Sequence, residues 1–420
     1  MRTSSVRQSR ARVAASAALG MLLVGIASAP AHAESIRDQQ WHLDAFGAEE
    51  IWKHSTGEGV TVAVLDSGVE NNRDLRGQVL KGKDFAPDQP GDENTDYTGH
   101  GTGMAGLIAG TGERDGGNGA FGLAPGVKIL PVRVPGADMG KVSQAVALEE
   151  FNRVMPQAIR YAADSGAKVI NISQGASEGS QQLTDAVRYA LGKGSLVFAA
   201  VGNTGDKLNL VEYPAATPGV VGVGAIDSKL KRIPMSQYGS QVDIVAPGKD
   251  TVHACGGGTG LCKSTGTSAA TALASAAAAL LWSKHPDWTN NQVLRVMLNT
   301  AAKPSGGEKR SDYLGYGGIR PLRTLKTPGD PGPADVRPID DLTEATATPG
   351  EATASATPSG NAAPPSPAPS GSSAAPAPAP AAQASADDGG DTGLWIGLGV
   401  GAAVLLAIGV AVPVLRSRRG

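Results

Sequence analysis

The sequence predicts an α/β fold in which a mostly parallel sheet carries helices on both faces. Short runs rich in apolar and β-branched residues recur along the chain and are typical of buried parallel strands. These runs cover residues 60–65, 128–132, 168–173, 196–200 and 220–225. Helix-like stretches lie between several of them, at residues 103–109, 144–165 and 180–192. Because strands and helices alternate, we expect neighbouring strands to run in the same direction, with the connecting helices covering the sheet.

Polar or glycine-rich turns follow three of these strands. Asp66 ends the first strand, Ser173-Gln174-Gly175 follows the third, and Gly202-Asn203 follows the fourth. In parallel sheets, ligands bind beyond the carboxyl ends of the strands. The sequence therefore predicts a functional site at this edge.

The first 33 residues have the pattern of a secretory signal peptide. Four arginines precede an uncharged stretch at residues 13–29, and Ala31-His32-Ala33 then forms a cleavage site with small residues on both sides. We expect cleavage after Ala33; an uncleaved membrane anchor is the alternative.

The C-terminal part of the chain has the composition of a tether and an anchor. Residues 327–391 are mostly Pro, Ala, Ser, Thr and Gly, so we expect a disordered linker. Residues 394–415 contain no charge, which predicts one transmembrane helix, with a buried core helix as the alternative. Three arginines in residues 416–420 predict a cytoplasmic tail. Residues 34–326 would then form one extracellular globular domain, held at the cell membrane by a single span.

The formal net charge of the chain is −2, and aromatic residues make up 4% of it. A balanced charge gives no basic surface, so we expect no nucleic-acid partner.

Asp66 and His100 have the residue types of an acid–base pair. A carboxylate at a strand end can orient a histidine, although such an aspartate by itself more often caps a turn. His100 lies between Gly99 and Gly101 at the start of a helix, where its ring can meet partners; a lone histidine is usually structural. The other histidines are expected in the signal peptide, in turns or at the ends of elements: His32, His42, His54, His253 and His285.

Ser268 and Asn203 complete the set that serine-based acyl transfer needs. Ser268 begins an alanine-rich helix, where free N–H groups and the helix dipole stabilise negative charge; a helix cap is the alternative. Asn203 follows Gly202 in a turn where its amide could donate to an oxyanion; a plain turn is the alternative. Since all four residues occur in one chain, separate structural roles explain them less well than one site.

These segments together resemble the subtilisin family of serine peptidases. The matching stretches are residues 64–69, 99–102, 171–175, 202–203 and 266–268. The resemblance implies a subtilisin-like fold with Ser268 as nucleophile, His100 as general base and then acid, and Asp66 as its orienting partner. It also implies an oxyanion hole formed by Asn203 and the Ser268 N–H.

The same resemblance implies a site for a protein or peptide substrate. Ser173 and Gly175 would pair with the substrate backbone and, together with Gly202, wall the primary specificity pocket.

A narrower resemblance is to mycosins, the actinobacterial subtilisins associated with type VII secretion. It rests on Gln40-Trp41-His42-Leu43-Asp44 and on the combination of signal peptide, Pro-rich tether and C-terminal anchor. This resemblance implies a type VII secretion membrane complex as a partner.

The chain departs from the family near the triad. Gly103 stands where a second histidine is frequent, Ala269 where a larger residue is usual, and Ala272 where proline is frequent. These neighbours shape packing around the triad, so they bear on efficiency and leave the mechanism unchanged. Only residues 34–65 separate the expected cleavage point from Asp66, so no separate pro-domain is expected.

We expect no metal or other cofactor. Calcium is common in the family, and Glu113, Asp115 and Asn118 in a glycine-rich loop could supply oxygens, but solvated loop polarity explains them as well. Cys255 and Cys262 are the only cysteines, and outside the cell they predict a disulfide. A metal site on these two residues would lack further ligands.

Two functions remain open at this stage. One is an endopeptidase acting on exported or envelope proteins through an acyl-enzyme. The other is a structural subunit that stabilises a secretion complex, with proteolysis secondary. An inactive, surface-binding relative would have lost a triad residue, and none is missing.

Overall fold

Seven strands form one sheet in the computed structural model, which describes residues 35–136 and 143–342. The strands are β1 (Thr61–Asp66), β2 (Lys83–Asp84), β3 (Lys128–Arg133), β4 (Val169–Ile172), β5 (Leu196–Ala200), β6 (Val221–Ile226) and β7 (Ile244–Pro247). Their order is β2-β3-β1-β4-β5-β6-β7, and every neighbouring pair is parallel. Thr61 pairs with Lys128 on one side of β1, and Val62 pairs with Val169 on the other. The predicted parallel sheet is confirmed.

Helices cover both faces of this sheet. The helices are α1 (Trp41–Phe46), α2 (Ala48–Trp52), α3 (His100–Ala109), α4 (Gln144–Asp164), α5 (Gln181–Gly192), α6 (Thr267–Lys284), α7 (Asn290–Thr300) and α8 (Pro321–Lys326). Successive residues of a strand point to opposite faces, and those of β1 divide between two hydrophobic clusters. Val62 and Val64 belong to the cluster that includes α3, α6 and α7, whereas Ala63 and Leu65 belong to the cluster with α4 and α5.

Helix α6 carries the predicted nucleophile and lies against the sheet. From Ala269 to Trp282 every residue of this helix is buried, and most are alanine. Alanine has the highest helix propensity and its small side chain permits close approach to the strands. The helix therefore holds its N-terminal end at a fixed position beside the strand ends.

A two-stranded antiparallel hairpin precedes α6 and was not predicted. It consists of β8 (Thr251–Ala254) and β9 (Leu261–Ser264). Cys255 and Cys262 are joined by a disulfide across this hairpin, with their Cα atoms 5.8 Å apart. The predicted bridge is confirmed. The expectation that His253 lies in a turn or at the end of an element is wrong, since it lies within β8 and is buried.

The residues before β1 are part of the same folded body. The side-chain amide of Gln40 donates to the Phe121 and Val252 carbonyls at 2.7 and 3.0 Å, and its oxygen accepts from the Phe121 N–H at 3.0 Å. This buried amide ties the start of α1 to the segment of Phe121 and to strand β8.

Residues 327–342, the first part of the segment expected to be a disordered linker, are held against the folded domain. The Arg295 guanidinium donates to the Pro331 and Pro333 carbonyls at 2.6 and 2.9 Å, and Asp341 accepts from the Gly219 N–H at 2.8 Å. Ile339 is buried in the core. The expectation of disorder is wrong for residues 327–342, because backbone carbonyls of a Pro-rich segment can still be satisfied by an arginine of the domain.

Several predicted segments lie outside the described residues. These are the signal peptide at residues 1–33, the remainder of the linker at 343–391, the membrane helix at 394–415 and the tail at 416–420. Among the helices of the described ranges, none has the length and apolar character needed to cross a bilayer.

Candidate active site

Asp66 and His100 form a hydrogen-bonded pair at the carboxyl end of β1. Asp66 is fully buried, and its Oδ1 lies 2.8 Å from His100 Nδ1. The Ser67 N–H also donates to this oxygen, at 2.8 Å. A carboxylate at Nδ1 fixes the proton there and leaves Nε2 as the basic nitrogen. The negative charge of Asp66 raises the pKa of His100 above its ordinary value of 6.5, against the opposing effect of burial.

Close packing between α3 and the turn after β1 brings this pair together. A Cβ atom built on Gly101 would lie 2.2 Å from the Gly68 carbonyl oxygen and 3.0 Å from Asp66 Cβ. Any larger residue would push the first turn of α3 away from Asp66. The second glycine of the Gly-His-Gly pattern is therefore required because no larger residue fits there.

A second buried carboxylate, Asp96, holds the segment that presents His100. Its Oδ1 accepts from Ser67 Oγ and the Gly99 N–H at 2.7 and 2.8 Å, and its Oδ2 accepts from both the N–H and the hydroxyl of Thr102 at 2.7 Å. The charge of Asp96 also raises the pKa of His100. Sequence reasoning missed this residue, although an aspartate shortly before a helix start is a common cap and could have indicated it.

Ser268 is the second residue of α6, and Ser173 holds it beside the end of β4. Ser268 Oγ donates to the Ser173 carbonyl at 3.3 Å, and Ser173 Oγ donates to the Ser268 carbonyl at 3.2 Å. The hydroxyl of Ser268 is therefore hydrogen-bonded to a backbone oxygen and not to His100 Nε2. Because Ser268 is in the first turn, its own N–H has no acceptor within the helix and is open to an anion.

Asn203 is held in one orientation by the residue before Ser268. Its Oδ1 accepts from the Thr267 N–H at 2.9 Å and from Thr267 Oγ1 at 3.2 Å. The Gly202 N–H donates in turn to Thr267 Oγ1 at 3.3 Å. With the amide oxygen anchored twice, the NH₂ group is left to donate outward. Thr267 was not recognised from the sequence.

The predicted substrate-binding residues gather at the ends of two adjacent strands. Ser173 and Gly175 follow β4, and Gly202 follows β5, which pairs with β4 in register. A buried chain of hydrogen bonds supports this edge: Ser275 of α6 donates to Asn171 Oδ1 at 3.0 Å, and Asn171 donates to Ser173 Oγ at 3.2 Å. The structure therefore brings all seven predicted site residues to one edge of the sheet.

His253 fills the space that Gly103 leaves beside α3. A Cβ atom on Gly103 would lie 2.7 Å from His253 Cε1. The imidazole of His253 meets Ser264 Oγ at 2.6 Å and the Ala254 carbonyl at 2.9 Å. Burial lowers the pKa of His253 to about 4, so its imidazole is neutral near pH 7.

Within residues 35–136 and 143–342, no group of three or more His, Cys, Asp or Glu side chains is arranged to hold a metal ion. The expectations about calcium and other cofactors stay predictions.

The parallel sheet, the serine at the start of a helix and the histidine–aspartate pair are the features of the class of serine hydrolases to which the subtilisins belong. Within that class the chain belongs to the subtilase family, whose model matches residues 57–317. The predicted subtilisin-like fold and family are thereby confirmed.

Comparison with curated proteins supports the same assignment. Alkaline elastase YaB of Bacillus sp. (strain YaB) is 39% identical over 246 residues. That match covers 59% of this chain and 60% of the elastase, so the chain spans less than two thirds of that relative's length.

Solved structures add a narrower similarity. MycP1 from Mycobacterium smegmatis superposes with a TM-score of 0.62 at 28% identity, covering 73% of this chain and 89% of that one. The periplasmic assembly from the ESX-5 inner membrane complex contains a chain with a TM-score of 0.62 at 26% identity, covering 74% of this chain and 89% of that one. The predicted resemblance to mycosins is confirmed.

Proposed function

We propose that this chain is a membrane-anchored extracellular serine endopeptidase that cleaves exported or envelope proteins through an acyl-enzyme. The observation that carries the proposal is the 2.8 Å contact between Asp66 and His100 at the end of β1, with Ser268 held at the end of the neighbouring strand β4. A catalytic serine needs a base held in one tautomer, and this pair provides it.

The proposed reaction begins when Ser268 Oγ turns from the Ser173 carbonyl to His100 Nε2. The hydroxyl oxygen attacks the peptide carbonyl carbon while its proton passes to Nε2. Asn203 Nδ2 and the Ser268 N–H donate to the oxyanion of the tetrahedral intermediate. When the C–N bond breaks, His100 returns the proton to the leaving amine. A water molecule then releases the acyl group by the same steps in reverse order.

We also propose a link to type VII secretion. It is supported by the similarity to MycP1 and to a chain of a periplasmic secretion assembly. The signal peptide, tether and C-terminal anchor expected from the sequence would place the domain outside the membrane. A structural role within such a complex is the second candidate, favoured by the same similarity to an assembled membrane complex.

Ser268→Ala separates these two candidates, with Ser283→Ala near the other end of α6 as the matched control. Each full-length variant would replace the wild-type chain in its native membrane. An endopeptidase role predicts that Ser268→Ala abolishes processing of exported substrates while the control processes them normally. If Ser268→Ala leaves all processing intact, the peptidase proposal is wrong. If the variant supports secretion but deletion of the chain does not, the structural role is supported.

A further inference from the structure

The carboxylate of Glu212 lies between the two glycines assigned to the walls of the specificity pocket. A Cβ atom built on Gly175 would lie 2.7 Å from Glu212 Oε2, and one built on Gly202 would lie 2.5 Å from Glu212 Oε1. Each carboxylate oxygen therefore faces one of the two glycines. The carboxylate of Glu212 and, beside Gly202, the side-chain amide of Gln237 occupy the space that the two missing side chains leave open.

The backbone next to Glu212 is fixed against the backbone next to Gly175. Ala176 and Tyr213 exchange two hydrogen bonds, N–H to carbonyl at 2.9 Å and 2.8 Å in the two directions. This short antiparallel bridge joins the residue after Gly175 to the residue after Glu212. The position of the carboxylate thus follows from backbone pairing as well as from its own side-chain rotamer.

Gln237 fixes the carboxylate from the other side. Its Nε2 donates to Glu212 Oε1 at 2.7 Å and to Thr204 Oγ1 at 2.8 Å, while the Gln237 N–H donates to the Gly202 carbonyl at 3.1 Å. The side chain of Gln237 is fully buried, and its Oε1 makes no hydrogen bond within the described part of the chain. Since Glu212 can only accept when ionised, this pairing determines which end of the amide is the NH₂ group.

We propose that Glu212 makes the pocket select a basic side chain, lysine or arginine, on the residue whose carbonyl is attacked. This inference rests on the proposed peptidase function and names its substrate class. An apolar side chain in the pocket would strip water from a carboxylate without replacing its interactions, which is unfavourable. An ammonium or guanidinium group would supply donors and opposite charge to the same carboxylate. A pocket carboxylate of this kind selects cationic residues in trypsin.

The test uses the full-length chain and peptide substrates that differ only at the residue before the cleaved bond. We expect kcat/KM for arginine and lysine substrates to exceed that for leucine and alanine substrates by about 100-fold, the scale of losing one partner of a hydrogen-bonded charge pair. Glu212→Gln keeps the shape and an acceptor but removes the charge. It should lower kcat/KM for basic substrates by about 100-fold and raise it for leucine, because no carboxylate is then desolvated.

Glu178→Gln is the matched control, since it removes an exposed carboxylate from the loop that follows Gly175. This variant should behave as the wild type with every substrate. Benzamidine, a small cationic ligand, gives a second readout. It should inhibit the wild type competitively and inhibit Glu212→Gln at least about 10-fold more weakly.

Two results would overturn the inference. Wild-type protein that cleaves leucine or alanine substrates as well as arginine substrates would show that the carboxylate does not select a cation. A uniform loss across all substrates in Glu212→Gln would show that Glu212 only supports the pocket structurally. If Glu212→Gln does not fold, two measurements on the wild-type protein still test the inference. These are its kcat/KM for each substrate of the panel and its inhibition by benzamidine. Labelling by a fluorophosphonate, which requires Ser268 but no pocket charge, separates these results from failure of the peptidase proposal.

Discussion

Replacing Thr267 by valine tests how Asn203, the proposed oxyanion donor, is held in place. Thr267 Oγ1 is one of the two donors to Asn203 Oδ1, at 3.2 Å, and it also accepts from the Gly202 N–H at 3.3 Å. Valine keeps the shape and removes both hydrogen bonds, while the Thr267 N–H bond to Asn203 at 2.9 Å remains. One neutral hydrogen bond contributes about 1 kcal/mol, which corresponds to about 5-fold in rate.

We therefore expect Thr267→Val to lower kcat by about 5-fold and to leave KM nearly unchanged, because the amide acts mainly in the transition state. Asn203→Ala removes the donor itself, and loss of this donor costs subtilisin about 100- to 1,000-fold in kcat. The matched control is Thr271→Val, a buried threonine of the same helix whose hydroxyl donates to the Thr267 carbonyl at 2.8 Å and does not contact Asn203.

A double-mutant cycle measured by steady-state peptide hydrolysis decides whether Thr267 acts through Asn203. If it does, Thr267→Val in the Asn203→Ala background should change kcat by less than about 2-fold, since no amide remains to be oriented. The reasoning is refuted if Thr267→Val costs about 5-fold in both backgrounds, or if Thr271→Val has the same effect.

Three further predictions concern pH and stability. Asp66 raises the pKa of His100, and the base must be neutral, so kcat/KM should fall as pH decreases through a value above 6.5; a midpoint at or below 6.5 would contradict the pairing. Burial raises the pKa of Asp243 from 3.8 to about 7, so the native state binds the proton more tightly and loses up to about 4 kcal/mol of stability as pH rises between these values. Asp243→Asn should therefore be increasingly more stable than wild type in urea titrations from about pH 4 to pH 8, and a constant difference would refute this. Cys255 and Cys262 are seven positions apart, so replacing both by serine should lower the free energy of unfolding by about 2–3 kcal/mol, and no loss would show that the bridge does not constrain the unfolded chain.

Local sequence patterns were sufficient to predict the central elements of the fold. The strand predicted at residues 196–200 matches β5, and the helix predicted at residues 144–165 ends one residue before its predicted end. Strand β7 was missed because it has four residues and ends in proline, which gives no periodic signal. The hairpin before α6 was missed because its two strands are four residues each and contain Cys, Lys and His.

The residues proposed to be catalytic could be picked out because they lie in short motifs with fixed neighbours. The residues that hold them lie outside those motifs. Asp96 contacts Ser67 and Thr102 across separate segments, and Glu212 meets Gly175 only because Ala176 pairs with Tyr213. Such contacts depend on tertiary pairing, which the residue pattern around each position does not encode.

In the proposed mechanism Ser268 is a nucleophile activated by His100. The most direct measurement is mass spectrometry of the full-length protein after reaction with a fluorophosphonate. We predict one adduct per chain, located on the peptide that contains Ser268, and at least about 1,000-fold slower labelling in His100→Ala because the base is lost. An adduct on another residue, or equal labelling rates in wild-type protein and His100→Ala, would contradict the claim.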